Sequence, residues 1–467
     1  MLEYEQVRVG CYMSIRYFGR VLLTGMLAAS AANALAQGQT GWKVGVASVD
    51  VTPRESIWMA GFASRTKPSE SVASDLHVKA LALQDQTGKT SVIVTSDLVA
   101  LRRALTDVIA ERCQKKYGLP RERLLMNASH NHSGPDLSLE GGTTPRQQQT
   151  QEYTKDLLDK IVDVVGKSIE SLAPATLQFD QGLAGIGVNR RRSRPNTRQL
   201  PGPVDQDVPV LAARAPDGKL RAILFGYACH VTTMAGYAIS ADYAGFAQTE
   251  VERLYPGAVA MFIQGAGADT NPLPRYHFED PELMQRSLEL AKLYGKVLGA
   301  SVDLVIRGKM APVTGPINAA FQYVDVPFEP LPPRQELEAR SKSADENRKA
   351  QAERLLRALD AGTKIPDRYP YGIQVYYFGS GLKLIALTGE VVVDYALRLK
   401  AAYGWDDTWI AGYSNDVPGY IPSKRVLLEG GYETSGAAGG AFSAALEETI
   451  VEKVDAVLRL TKPADLR

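Results

Sequence analysis

The spacing of apolar residues switches along the chain between a period of two and a period near 3.6, which predicts strands and helices in alternation. Residues 44–51 alternate and stop at Thr52-Pro53, so they read as a strand. Residues 77–83 and 91–99 read as two more strands around a turn at Gln86-Thr87-Gly88. Helical spacing over 101–117 ends at Gly118 and Pro120. The apolar run Leu124-Leu125-Met126 predicts a buried strand, and 150–171 an amphipathic helix. Segments 208–214 and 220–230 flank Pro216-Asp217-Gly218, a hairpin signature. A helix is expected over 243–255, a buried strand over 258–264 and a helix over 281–300. Residues 337–361 carry many charges and few large apolar side chains, which predicts one exposed helix. A hairpin over Gly379-Ser380-Gly381 joins strands 374–378 and 382–387; helix 391–403, strand 409–412 and helix 441–460 follow. Such alternation argues for an α/β fold with mixed sheets covered by helices. No repeat or low-complexity linker interrupts it, so residues 37–467 read as a single large domain.

The first 36 residues break this pattern. Met13-Ser14-Ile15-Arg16-Tyr17-Phe18-Gly19-Arg20 is basic, 21–32 is apolar, and Ala34-Leu35-Ala36 offers small residues ahead of Gln37. That order predicts a secretory signal over 1–36, with 1–12 as an upstream extension, and an exported protein, periplasmic or secreted. The apolar core is shorter than the ~20 residues of a membrane span, so no transmembrane segment is expected after signal removal. Hydrophobic residues make up 45% and charged residues 22%, as in soluble globular proteins. A net charge of +1 gives no ground for a nucleic-acid partner. Cys113 and Cys229 either pair or stay as buried thiols, and the oligomeric state has no signal in the sequence.

Candidate chemistry concentrates in a few polar residues at the ends of apolar runs. Two of the five histidines stand two apart in Ser129-His130-Asn131-His132-Ser133-Gly134-Pro135. A strand running into His-x-His would put both imidazoles on one face, and Ser-Gly-Pro would turn the chain at its mouth. Such a pair suits a metal, a general base, or both. His230 closes a second apolar strand, as either a core histidine or a site residue. Glu390 follows the apolar strand Leu384-Ile385-Ala386-Leu387, either as a site carboxylate or as the first-turn acid of the next helix. The polar, glycine-rich stretch around Asp416 to Glu433 can hold binding residues or be surface loop. Asp97 ends another strand and is a candidate to orient a histidine. His77 reads as structural, and His277 as surface loop. Arg191, Arg192 and Arg194 extend a basic cluster at Arg190 that is either a solvated face or a contact for a carboxylate-bearing or phosphate-bearing substrate.

Together these fragments resemble the neutral (alkaline) ceramidases, zinc-dependent amidases that cleave the N-acyl bond of ceramide. The resemblance rests on Ser129-His130-Asn131-His132-Ser133-Gly134-Pro135, Val188-Asn189-Arg190, Asp242-Tyr243-Ala244-Gly245, the stretch Gln264 to Pro272, Gly389-Glu390, and Gly419-Tyr420-Ile421-Pro422 with Gly431-Tyr432-Glu433. It implies zinc held by His130, His230, Glu390 and Tyr432. His132 would transfer protons, and Arg190 and Tyr420 would bind substrate. The expected activity is hydrolysis of a small-molecule amide or N-acyl lipid by metal-activated water. The sequence departs from the family at Gly267-Ala268-Asp269-Thr270-Asn271-Pro272, where Asn271 stands in place of a functional serine. A serine nucleophile is therefore disfavoured, and Asn271 is expected to donate a hydrogen bond to an oxyanion. No C-terminal immunoglobulin-like domain is expected, which leaves the catalytic domain alone. The alternatives are the same zinc site acting on an ester or lactone, or a non-catalytic periplasmic protein that binds metal or ligand.

Overall fold

The computed structural model describes residues 41–191, 202–273, 281–344, 346–434 and 440–462. The expected signal segment lies outside the described residues, as do Arg192, Arg194 and His277. Residues from Trp42 onward form one compact unit.

Two sheets make the frame. The larger contains β1 (Trp42–Asp50), β2 (His77–Gln84), β3 (Thr90–Ser96), β4 (Leu124–Ala128), β5 (Ala173–Leu183), β6 (Asp207–Arg214), β7 (Leu220–Tyr227) and β8 (Val259–Gln264). Its spatial order is β8-β7-β6-β5-β1-β2-β3-β4, with Ala311–Val313 attached to β5. The smaller sheet runs β9 (Ile317–Pro327), β10 (Arg368–Phe378), β11 (Lys383–Leu387) and β12 (Thr408–Ala411). Most neighbours are antiparallel, but β3–β4, β7–β8 and β11–β12 are parallel.

Burial on both faces explains the apolar runs. In β2, Val78, Ala80 and Ala82 face a cluster with Leu105, Ile109, Leu157 and Val165 of helices α1 (Arg103–Tyr117) and α2 (Pro145–Glu170). Alternate residues Leu81 and Leu83 point the other way, into a cluster shared with Tyr376, Leu384 and Trp409 of the smaller sheet. Helices α3 (Asp242–Leu254) and α4 (Pro281–Arg307) cover β6 and β7 through Tyr243, Ala247, Leu298 and Val302. On the outer face of the smaller sheet lie α5 (Val393–Tyr403) and α6 (Leu446–Thr461). The result is four layers, helices–sheet–sheet–helices. Strands covered on both faces lose the in–out alternation of a half-exposed strand.

This is the expected α/β class, with several differences in detail. The charged segment 337–361 is two helices, Arg334–Arg340 and Glu346–Asp360, because the first already closes at Ser341. Strands β5 and β9 were not expected; β5 contains Pro174 and Gly182, and β9 is partly exposed over most of its length. Cys113 and Cys229 are buried in different clusters and are not joined in a disulfide.

Candidate metal centre

The parallel strand pairs deliver the site. His130 follows β4, His230 follows β7 and Glu390 follows β11, each at the carboxyl end of a strand in a parallel pair, where open α/β sheets bind ligands. The His-x-His pair does not continue its strand, as the alternation suggested. β4 ends at Ala128, and His130 adopts a left-handed backbone with φ 60°. Hydrogen bonds on either side fix that conformation: Ser129 N–H donates to Ser96 O and Asn131 N–H to Leu98 O. The Asn131 side chain donates to Asp97 O at 3.2 Å and to Ser240 O at 2.6 Å. Although the residues do not alternate on a strand, their rings converge, with centroids 4.6 Å apart.

His230 is set by its preceding carbonyl. Cys229 O accepts from Tyr243 Oη at 2.5 Å and from Gln264 Nε2 at 2.9 Å. Each of the two strand-end imidazoles then meets a backbone carbonyl through Nδ1: His130 with Val99 O at 2.8 Å, His230 with Gly267 O at 3.1 Å. With Nδ1 donating, each Nε2 carries its lone pair toward the cup. Glu390 Oε2 lies 3.2 Å from His130 Nε2 and 3.4 Å from His230 Nε2. His132 Nε2 lies 3.0 Å from His130 Nε2.

Electrostatics makes this a cup of electron-pair donors. Burial pushes His230 down to about 4, so its ring is neutral at physiological pH. His132 is also pushed well below the usual imidazole range by burial and by the rings of His130 and His230. Burial favours the neutral form of Glu390, but the imidazoles of His130 and His230 outweigh it and keep the carboxyl well below its ordinary value. Glu390 Oε2 faces His230 Nε2 at 3.4 Å, and neither atom has a hydrogen-bond partner among the described residues. A cation between them satisfies both. His130, His132 and His230 can bring three nitrogens within 4.8 Å of one another, and Glu390 adds an oxygen to that set. The donor set fits a divalent transition metal.

Around the cup, Tyr420 is buried and roughly parallel to His230, with ring centroids 6.5 Å apart, and its backbone pairs with that of Glu390. Tyr432 is 56% exposed and packs against Tyr420 at 5.2 Å. Arg190 lies over both phenol rings and pairs with Glu433 at 2.7 Å. Arg191 pairs with Glu429 and Glu433, so this part of the basic cluster is neutralised from within the fold. Asn271 is buried in the short strand Thr270–Pro272, and its Oδ1 has no partner among the described residues. The Asp97 carboxylate accepts from His77 N–H and Gln248 Nε2, and its backbone carbonyl accepts from Asn131 in the histidine loop; among the described residues it makes no hydrogen bond to His130, His132 or His230.

One neighbour was not anticipated. The buried Tyr413 ring lies 4.5 Å from His130 and 6.2 Å from His230, and its hydroxyl has no partner among the described residues. The signal for it was present: Tyr413 follows β12 much as Glu390 follows β11, a polar group at the end of an apolar strand.

A buried cup of imidazoles and one carboxylate, at the carboxyl ends of parallel strands of an α/β fold, could hold a metal ion. Residues 42–272 match the family model described as neutral/alkaline non-lysosomal ceramidase, N-terminal. These residues belong to that family. Its fold resembles the crystal structure of neutral ceramidase from Pseudomonas aeruginosa, with TM-score 0.71 and 20% identity, over 91% of this chain and 76% of that one. A ceramidase complexed with C2 matches with TM-score 0.70 and 18% identity, over 91% and 77% of the two chains. No curated protein sequence matches the chain. Family and fold together support a hydrolase.

Proposed function

We propose that this protein is a zinc-dependent hydrolase of an N-acyl amide bond, exported from the cytoplasm. The observation that carries the reading is the contact between the Glu390 carboxylate and the His230 nitrogen lone pair, which calls for a cation. His130, His230 and Glu390 would hold the ion. Of the two tyrosines, Tyr420 has the burial and the contact with His230 that suit a place beside it, while the exposed Tyr432 suits the substrate side. This exchanges the roles that the resemblance implied. When bound, zinc supplies Lewis acidity toward the amide carbonyl and acidifies the attacking water.

The remaining roles belong to the chain itself. His132 is neutral and stands beside His130, so it can accept the proton of the attacking water and pass it to the leaving nitrogen. The unpartnered Asn271 Oδ1 is an acceptor, so it can orient a proton-bearing group such as the attacking water; stabilising an oxyanion would fall to its Nδ2. Arg190, fixed by Glu433 and covering Tyr420 and Tyr432, shapes the substrate wall.

The test combines elemental analysis of protein purified without added metal with assays on N-acyl substrates, for the wild type and His132→Ala. Stoichiometric zinc is expected in both proteins and turnover only in the wild type. Loss of zinc in His132→Ala would instead make His132 a ligand. Full activity in that variant would remove its proton-transfer role.

A further inference from the structure

Arg65 is a buried cation without an acidic partner. It is 9% exposed, and none of the ion pairs among the described residues includes it. Other buried cations are neutralised: Lys79 by Glu252 at 2.9 Å, Lys400 by Asp205 and Asp207 at 2.7 Å each, and Arg191 by Glu433. Arg65 has only backbone carbonyls, Gly236 O at 2.9 Å from Nε and Ala60 O at Nη1. Its Nη2 is buried with no hydrogen-bond partner among the described residues. Burial lowers its affinity for a proton, with the pKa falling to about 10, yet leaves it charged at neutral pH. A buried, uncompensated guanidinium is costly to a fold unless something outside the fold completes it.

Its position says where that completion would occur. The guanidinium lies 4.9 Å over the ring of Phe62, and Phe62 meets the His132 ring edge-on at 4.8 Å. Gly61, in the same loop, runs directly against His132. The order in space is therefore cup, His132, Phe62, Arg65. On the reading above, His132 serves the leaving nitrogen, so Arg65 borders the amine half of the substrate and not the acyl half.

We infer that Arg65 receives a carboxylate on the amine side of the substrate, which makes the preferred substrate class the N-acyl amino acids. Hydrolysis would break the amide C–N bond, form a C–O bond from water and place a proton on nitrogen, giving a fatty carboxylate and a free amino acid. The guanidinium fork suits a carboxylate through two parallel hydrogen bonds. A neutral amide of the same shape offers Nη2 a single uncharged acceptor and leaves the guanidinium charge uncompensated. The inference rests on the hydrolase reading for its orientation, but the test separates the two.

The probes are N-lauroylglycine and its uncharged isostere N-lauroylglycinamide. Binding to chelator-treated wild-type protein is measured by calorimetry, and kcat/KM is measured on zinc-loaded protein. One charge-assisted contact corresponds to about 10- to 100-fold in favour of the acid in both measurements. Arg65→Gln should bring the ratio below about threefold, the residue expected once that contact is gone. Arg65→Met, which keeps the packing of the stem, replaces it if the glutamine variant melts early. Equal binding of the two probes by wild type overturns the inference without any variant, and so does a preference that survives in Arg65→Gln. Zinc-dependent cleavage without a carboxylate preference sinks the Arg65 assignment and leaves the hydrolase reading standing. A binding preference without zinc-dependent cleavage does the reverse.

Discussion

Glu390→Gln isolates the charge of the cup. The side chain keeps its volume and its place after β11, but the group facing His130 Nε2 at 3.2 Å and His230 Nε2 at 3.4 Å loses its negative charge. At an effective dielectric of about 20, one unit charge 4 Å from another contributes about 4 kcal/mol. Each 1.36 kcal/mol is a factor of about ten. Zinc affinity should therefore fall by about a thousandfold, a conservative figure because the ion is divalent. Competition against a chromophoric chelator at pH 7 measures this directly, with circular dichroism to confirm the fold. Proton competition gives a second reading. The Glu390 carboxyl is kept well below its ordinary range and His230 lies near 4, so acid should strip zinc from wild type only below the usual imidazole range. In Glu390→Gln the weaker affinity moves release to higher pH. A folded Glu390→Gln protein that binds zinc within tenfold of wild type would refute the proposed ligand set.

Three further outcomes follow from the same structure. A methyl group on Gly61 would lie 2.6 Å from His132 Cγ, at a backbone φ of +94° that L residues rarely adopt; Gly61→Ala should abolish turnover while zinc content stays unchanged, and should cost about 1–3 kcal/mol in urea unfolding. In the metal-free protein, His230 binds its proton only near pH 4, whereas the unfolded chain binds it near 6.5, so the unfolded state takes up more protons between these values. Stability should then fall as the pH drops through that window, by at most about 3 kcal/mol, and a melting temperature flat from pH 7 to 4 would contradict the burial of a neutral ring. Asn127 donates to Gly412 O at 2.8 Å and accepts from Gln264 N–H at 2.9 Å, so Asn127→Ala strands both backbone groups and should cost about 3 kcal/mol by denaturant titration.

The core strands were legible because burial on both faces leaves continuous apolar runs, as in β2, β4, β7 and β8. Hairpins announced themselves through turn chemistry: Pro216-Asp217-Gly218 does join the antiparallel strands β6 and β7. Strands β5 and β9 were not legible. The sequence of β5 includes Pro174, Gln178, Asp180, Gln181 and Gly182, which local propensity disfavours, yet it sits between β6 and β1 and is stabilised by pairing on both sides. In β9, the register is set by a long pairing with β10, a partner remote in sequence. Site residues were legible where a polar side chain interrupts an apolar run at its end, as at His130, His230 and Glu390. The contrast between Tyr420 and Tyr432 was not, because both lie in glycine-rich loops and only the tertiary packing of Tyr420 against His230 separates them. Nor could sequence show that Arg190 and Arg191 meet Glu433, a pairing across more than half the chain.

Strain at the cup has a consequence for how the site is prepared. Four described residues other than glycine have positive φ: His130, Asp242, Tyr413 and Asn415. Each costs on the order of 1 kcal/mol or more relative to an ordinary conformation. What offsets that cost is a lacing of the strand ends. Ala128 N–H donates to Tyr413 O, Tyr413 N–H to Gly389 O, and Asn415 N–H to Met126 O. The Asn415 side chain adds a bond to Gln374 Oε1 at 2.8 Å and accepts from Met126 N–H at 3.2 Å. Asp242 accepts from Met234 N–H and Tyr243 N–H, fixing the segment after His230 in the same way. These bonds tie the exits of β4, β11 and β12 into one unit, independently of any ion. The imidazoles are therefore aimed by the scaffold, and metal binding does not have to supply the energy of bringing β4 and β11 together.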